Sequence, residues 1–264
     1  MIFKYSVVCA GMLIEVMFLK FVLSDVLALI SSISKSYNNH SLCDYFIRRH
    51  NIKTLVQCDF DGTITVDDIS YGILDKFARG DWRVWEEKYH RNEISVGEFN
   101  ARVFSMVKTD KATLIAYARL HSRLRDGLKD LIAFCKHQDI EFVIVSNGLD
   151  FYIETVLNDL KLRKIKALTG KTEFNHNGIT VRYIGPTGEE LMSGFKEAYT
   201  KLYIDKGYRV VYIGNGISDI PAARLSYRIF ARDDLLDHCK EANLEYIPFD
   251  DMNDVINGLA DIDR

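Results

Sequence analysis

The sequence predicts an α/β fold: a doubly wound parallel sheet with helices on both faces. Three observations predict it. Short, apolar, β-branched runs occur at residues 54–59, 141–146 and 209–213, each the length of a buried strand. Segments with helical spacing of apolar residues lie between them, and strands alternating with helices argue for parallel pairing. Each run ends in a polar cluster: Asp59 to Thr63, Ser146 to Gly148, and Gly214 to Asp219. In open α/β sheets ligands bind beyond the carboxyl ends of the strands, so this topology brings the three clusters together.

Residues 1–50 form an N-terminal apolar extension unlike the rest. Residues 1–30 are mostly apolar but interrupted by Lys4, Glu15, Lys20 and Asp25. The uncharged run 5–14 is too short to span a membrane. A charge at a helix centre costs about 2.5–3.5 kcal/mol, which disfavours one clean span. Three readings stand: a secretory signal with an early Ala10-Gly11 cleavage point, a membrane-associating helix, and an extension upstream of a true start at Met17.

After the 54–59 strand, residues 67–120 read as helices. Ile69, Ile73, Leu74 and Phe77 share a helical face, and Ser95 to Glu98 is a capping box ahead of Phe99, Val103 and Phe104. Leu128, Leu131, Ile132 and Cys135 mark the next helix. The 141–146 strand follows, with Asp150 as the cap of another helix. A short strand is expected at 164–168, and Asn177-Gly178 suggests a hairpin turn. Thr187 to Glu190 reads as a second capping box, opening a helix that runs to Gly207. The 209–213 strand and two more at 227–231 and 244–249 complete the pattern.

At 264 residues the chain holds one large domain or two small ones. Its 48% hydrophobic and 27% charged residues exclude a disordered chain, a collagen or a rod. A net charge of -3 argues against nucleic acid as the main partner. Five scattered cysteines without a CxxC argue against a zinc knuckle and against a disulfide framework. That favours a reducing, cytoplasmic setting, with membrane association through residues 1–30 left open.

The polar clusters suit phosphate chemistry. Asp59 and Asp61 lie two residues apart, about 6.6 Å along an extended chain. Two carboxylates this close repel unless a cation intervenes or one is protonated. An oxygen-rich acidic site suits magnesium. One carboxylate can attack a phosphoryl group, and the other can protonate the leaving oxygen and later activate water. Thr63, Ser146 and Asn147 offer hydroxyl and amide groups to phosphate oxygens. Lys196 offers charge, and Asn215 and Asp219 offer further oxygens to a metal. Each has an ordinary alternative: an Asp-Gly turn, a strand-to-helix turn, a solvated lysine, or helix capping by Ser218 or Asp219.

The order of Asp59-Phe60-Asp61-Gly62-Thr63, Ser146, Lys196 and Gly214 to Asp219 resembles the motifs of the haloacid dehalogenase superfamily, and the likeness spans residues 54–249. The resemblance implies a Rossmann-like core from 51–66 and 121–264, with 67–120 as a small inserted helical cap. It implies Asp59 as nucleophile, Asp61 as general acid and base, and Thr63, Ser146, Asn147 and Lys196 as phosphate ligands. It implies Mg2+ held by Asp59, Asp61 (through its carbonyl), Asn215 and Asp219. The layout is that of the phosphoserine-phosphatase branch. The stretches 58–65, 230–236 and 239–249 are closer to the methionine-salvage phosphatases of that branch, which implies a small phosphorylated metabolite, a methylthiopentenyl phosphate, as substrate. Relatives in this branch mostly carry Asp where this chain has Asn215, and Asp68 stands where phosphoserine phosphatases have a substrate-gripping Glu. Asp68 and Arg102 are accordingly expected to contact substrate. Phosphoserine phosphatase is the second reading. A non-catalytic phosphate-binding homologue, motivated by Asn215, and a membrane-attached lipid phosphatase, motivated by the N-terminal extension, are others.

Overall fold

A computed structural model describes residues 53–261 of the chain. The readings of the N-terminal extension, with Cys9 and Cys43, lie outside the described residues. Within them a seven-stranded sheet runs in the order β4-β3-β2-β1-β5-β6-β7. The strands are β1 (Thr54–Cys58), β2 (Glu141–Leu149), β3 (Lys166–Asn175), β4 (Gly178–Arg182), β5 (Arg209–Gly214), β6 (Arg228–Ala231) and β7 (Ile247–Pro248). Every neighbouring pair is parallel except β3 and β4, which form the antiparallel hairpin expected at Asn177-Gly178.

β1 lies at the centre, between β2 and β5, with all five of its residues buried. This is why it reads as a mostly apolar run, with Thr54 at its start and Gln57 as its one polar interior residue. The first four of the five helices that follow it before the chain returns to the sheet are α1 (Ile69–Phe77), α2 (Arg83–His90), α3 (Val96–Ser105) and α4 (Lys111–His121). The starts of α1, α3 and α4 are set by side-chain caps. Asp68 accepts the Tyr71 amide at 2.8 Å, and Asp110 accepts the Thr113 amide at 2.9 Å. Ser95 and Glu98 close the capping box reciprocally at 3.2 and 2.9 Å. Ile69, Ile73, Leu74, Phe99, Val103 and Phe104 are buried, as their helical spacing requires.

The remaining helices flank the sheet: α5 (Leu128–His137), α6 (Asp150–Asp159), α7 (Phe195–Asp205), α8 (Ile220–Ala223), α9 (Asp233–Glu241) and α10 (Met252–Ala260). Cys58, Cys135 and Cys239 are free and buried, so Cys135 and Cys239 serve as small core hydrophobes. Among the described residues no helix is long and apolar enough to cross a membrane.

Several boundaries differ from expectation. Residues 187–190 do not open a helix. Thr187 hydrogen-bonds Glu189, Glu190 bridges to Ile184, and Gly188 and Gly194 take φ of +93° and +69°. Helix α7 therefore begins only at Phe195. Asp150 caps nothing: it is the first helical residue, and its carboxylate accepts from Thr172 on β3. β3 extends to Asn175 because it pairs with β4, and the last strand shrinks to Ile247–Pro248.

Candidate active site

Three loops meet beyond the carboxyl ends of β1, β2 and β5. The loop after β1 is held from below by Arg125. Its Nε and Nη2 donate to the carbonyls of Thr63 and Gly62, both at 2.9 Å, and its Nη1 donates to Asp250 at 3.1 Å. Gly62 has φ +73°, and a Cβ there would overlap the Asn215 side chain, so only glycine lets the β1 and β5 loops approach. Thr63 Oγ1 joins the same two loops by donating to Asn215 Oδ1 at 2.9 Å.

Lys196 is 3% exposed and lies between two carboxylates. Its Nζ stands 2.9 Å from Asp59 Oδ1 and 2.6 Å from Asp219 Oδ1, and donates to Ser218 Oγ at 3.1 Å. Burial opposes the charge on Lys196, but Asp219 and Asp59 outweigh it and hold its pKa above the usual lysine value. Gln57 anchors this lysine: its Nε2 donates to the Lys196 carbonyl at 3.0 Å while its Oε1 accepts from Thr200 at 3.0 Å. That is the reason for an amide in an otherwise apolar strand.

Asp219 is fully buried and fully engaged. Beside Lys196, its Oδ1 accepts from Tyr212 at 2.6 Å, and its Oδ2 accepts the amides of Asn215 and Gly216 at 2.9 and 2.8 Å. It fixes the loop that presents Asn215. Burial, opposed by Lys196, pushes Asp59 up to about 6. The Ser146 hydroxyl favours its charged form, and also accepts the Gly148 amide at 3.1 Å.

Asp61 is buried and held at both oxygens. Oδ1 accepts the Ile69 amide at 3.1 Å, and Oδ2 accepts from the Tyr152 hydroxyl, which in turn meets Ser70 Oγ at 2.7 Å. Burial, with Asp68 beside it, raises Asp61 well above the usual carboxylate range. A raised carboxyl retains a proton near neutrality, as a general acid requires. Burial also pushes Asp68 up to about 6, and Asp59 adds to the rise.

The structure thus brings together Asp59, Asp61, Thr63, Asp68, Ser146, Asn147, Lys196, Asn215 and Asp219. Arg102 is not brought to them. It is exposed, with its guanidinium 4.5 Å from the Trp85 ring centroid. Trp82 is buried and donates to Asp75, so it packs the helical insertion. Gln57, Arg125, Tyr152 and Tyr212 were not singled out from sequence. Gln57 carried a signal, a lone amide in a buried run; the others carried none.

An anionic cleft of this kind fits a divalent cation. Asp59 and Asp219 share one ammonium, Asp61 and Asp68 lie beside Asp59, and Asp59 Oδ1 is buried without a well-aligned hydrogen bond. Among the described residues no cluster of three or more His, Cys, Asp or Glu forms a ready-made metal cage. The donors are instead carboxylate, carbonyl and amide oxygens, the set that suits magnesium.

Comparison with known proteins agrees with this geometry. A sequence profile of haloacid dehalogenase-like hydrolases matches residues 56–224. The 2-hydroxy-3-keto-5-methylthiopentenyl-1-phosphate phosphatase of Geobacillus kaustophilus (strain HTA426) is 32% identical, the match covering 76% of this chain and 93% of that protein. The enzyme of that name from Bacillus velezensis is 28% identical, over 79% and 90%. In fold, a substrate-bound phosphoserine phosphatase superposes with a TM-score of 0.59 at 16% identity, covering 78% of this chain and 98% of that one. A phospho-aspartyl intermediate analogue of phosphoserine phosphatase gives 0.58 at 14%, over 79% and 99%.

Proposed function

This chain belongs to the haloacid dehalogenase-like hydrolase family and is a phosphatase, and from that premise we propose that it hydrolyses 2-hydroxy-3-keto-5-methylthiopentenyl-1-phosphate through an aspartyl-phosphate on Asp59. The observation that carries the reading is the contact of Asp59 with Lys196 at 2.9 Å, beside an Asp61 held in one orientation by Tyr152 and the Ile69 amide.

In this reading the Asp59 carboxylate attacks phosphorus in line and the bond to the leaving oxygen breaks. Asp61 delivers its proton to that oxygen. It then takes a proton from the water that hydrolyses the aspartyl-phosphate, which returns both residues to their starting states. Lys196 and the irregular Ser146–Gly148 end of β2 hold the equatorial oxygens, where phosphoryl transfer gathers charge. The Asp59 carboxylate, the Asp61 carbonyl and Asn215 Oδ1 are the groups that would hold Mg2+, with Asp219 adding its charge at one remove. When bound, the ion supplies positive charge against the transferring phosphoryl group.

The test is phosphate release from the enol phosphate with magnesium and with chelator. Asp59→Asn is expected to abolish release while the circular dichroism spectrum stays that of the wild type. Substantial residual turnover by the folded variant sinks the nucleophile assignment.

A further inference from the structure

Beside Lys196 a cavity of about 400 Å³ opens between the helical insertion and the core. Its apolar wall includes Tyr89, Ile94 and Val96 from the insertion and Phe195, Ile217 and Pro221 from the core. Tyr89 is fixed by stacking on Phe99, with ring centroids 5.4 Å apart and planes 18° from parallel. Its hydroxyl has no hydrogen-bond partner among the described residues. Burial raises its pKa to about 12, and the groups that act on it include Lys196, Asp219 and Asp59. Asn147, also lining the cavity, has a buried Oδ1 without a partner. A buried unpaired acceptor is costly until a ligand donates to it.

The charges around this cavity are one-sided. Its acids are Glu93, Glu98 and Glu197, and Lys196 is the one basic side chain among the described residues that line it. That lysine is already shared by Asp59 and Asp219. Arg91 pairs with Glu93 at 3.1 Å and Lys201 pairs with Glu197, so neither cation is unspent. Glu98 is held by Ser95. Arg102 lies on Trp85 instead of in the cavity.

Resting on the phosphatase reading above, we infer that this cavity selects phosphomonoesters whose leaving group carries no carboxylate. Tyr89 and Asn147 hydrogen-bond an uncharged, oxygen-bearing leaving group against the apolar wall. A substrate carboxylate meets Glu98, which forms no ion pair among the described residues, and the Asn147 Oδ1 acceptor, and it finds no free cation. Rejection by one unmatched acid and by the want of a counter-charge is an economical way to obtain specificity.

Two substrate pairs isolate the carboxylate: phosphoethanolamine against phosphoserine, and glycerol 3-phosphate against 3-phosphoglycerate. With magnesium present, kcat/KM is expected to favour the carboxylate-free member of each pair by about tenfold or more. Glu98→Gln, which preserves the capping box, is expected to narrow both ratios. Tyr89→Phe is expected to raise KM for glycerol 3-phosphate more than it lowers kcat. Equal kcat/KM within each pair, or a preference for the acids, overturns the inference. If none of the four is turned over, the phosphatase reading fails for these compounds. Calorimetric binding of the same four to Asp59→Asn then decides the present point: tighter binding of the carboxylate-free members supports it, and equal binding overturns it.

Discussion

Asp61 has to donate a proton in one half of the proposed reaction and accept one in the other, so its orientation matters more than that of its neighbours. The Tyr152 hydroxyl is the lever on that orientation, being packed between Asp61 and Ser70. Tyr152→Phe is expected to lower kcat by roughly tenfold or more with a smaller change in KM, because general acid-base catalysis contributes about 10²–10⁴ and depends on alignment. Steady-state kinetics checks it, and an unchanged kcat would remove Tyr152 from the mechanism. Gly148 makes the contact feasible, since a Cβ there would overlap both Tyr152 and Asp61; Gly148→Ala should reproduce the loss. Gln57→Leu tests the support of Lys196. It removes one partner each from the buried Lys196 carbonyl and Thr200 hydroxyl, which keep each other at 3.0 Å, so a loss of about 0.5–1.5 kcal/mol is expected in urea unfolding. Asp59, Asp61 and Asp219 were legible from sequence because each stands in a polar cluster at the end of a strand, whereas Lys196, a helix residue, was legible only through the order of the family motifs. Tyr152 and Arg125 were not, because nothing in a helical tyrosine or a loop arginine marks the distant backbone or carboxylate that it meets.

The helix that carries much of the insertion, α3, is stapled to the core at both ends. At its start the Gly97 amide donates to the Met192 carbonyl at 2.9 Å, and a Cβ at Gly97 would collide with that backbone. At its end Gly178, with φ +118°, sits against the Ser105 carbonyl. Between them Asn100 and Tyr183 both reach the Asn147 carbonyl, linking α3 to the irregular carboxyl end of β2. Gly178→Ala is therefore expected to destabilise the fold by about 1–3 kcal/mol, the usual cost of forcing a side chain into such a conformation. Thermal unfolding measures it, and a neutral result would show that α3 can move away from the hairpin freely. Here sequence and structure part company in an instructive way. Ser95 to Glu98 and Thr187 to Glu190 carry the same four-residue signal, yet only the first caps a helix. In the second, the neighbouring Glu189 takes the threonine and Gly188 and Gly194 turn the chain. A local motif competes with the next residue and with the backbone needs of the following loop. The central strands were read correctly for the opposite reason: a strand buried on both faces has no local competitor. β3 was read short because its length is set by pairing with β4, not by its own apolar content.

Across the whole molecule, folding concentrates negative charge at one end of the sheet. Asp59, Asp61 and Asp68 are all raised, first by burial, with a neighbouring acid adding to each rise, so part of it is repulsion stored in the folded state. A cation that binds only the folded site relieves that repulsion and stabilises the protein in proportion to its saturation. At a magnesium concentration of about 100 times Kd the gain is roughly 2.7 kcal/mol. For a domain of this size that is a rise in Tm of about 5–10 °C, reversed by chelator. Asn215→Asp sharpens the argument because its two effects have opposite signs. Without metal, it adds another carboxylate, half-buried, next to Thr63 and Asp219, and Tm should fall below that of the wild type. With magnesium, the same carboxylate becomes a charged ligand, and the magnesium-induced rise should exceed the wild-type rise. Calorimetry of both proteins, with and without magnesium, reads the two effects separately and without reference to turnover. If Tm is indifferent to magnesium in both, these oxygens do not form the cation site. If the rise is equal in both, position 215 lies outside the coordination sphere, and the Thr63–Asn215 hydrogen bond serves only to join the loops after β1 and β5.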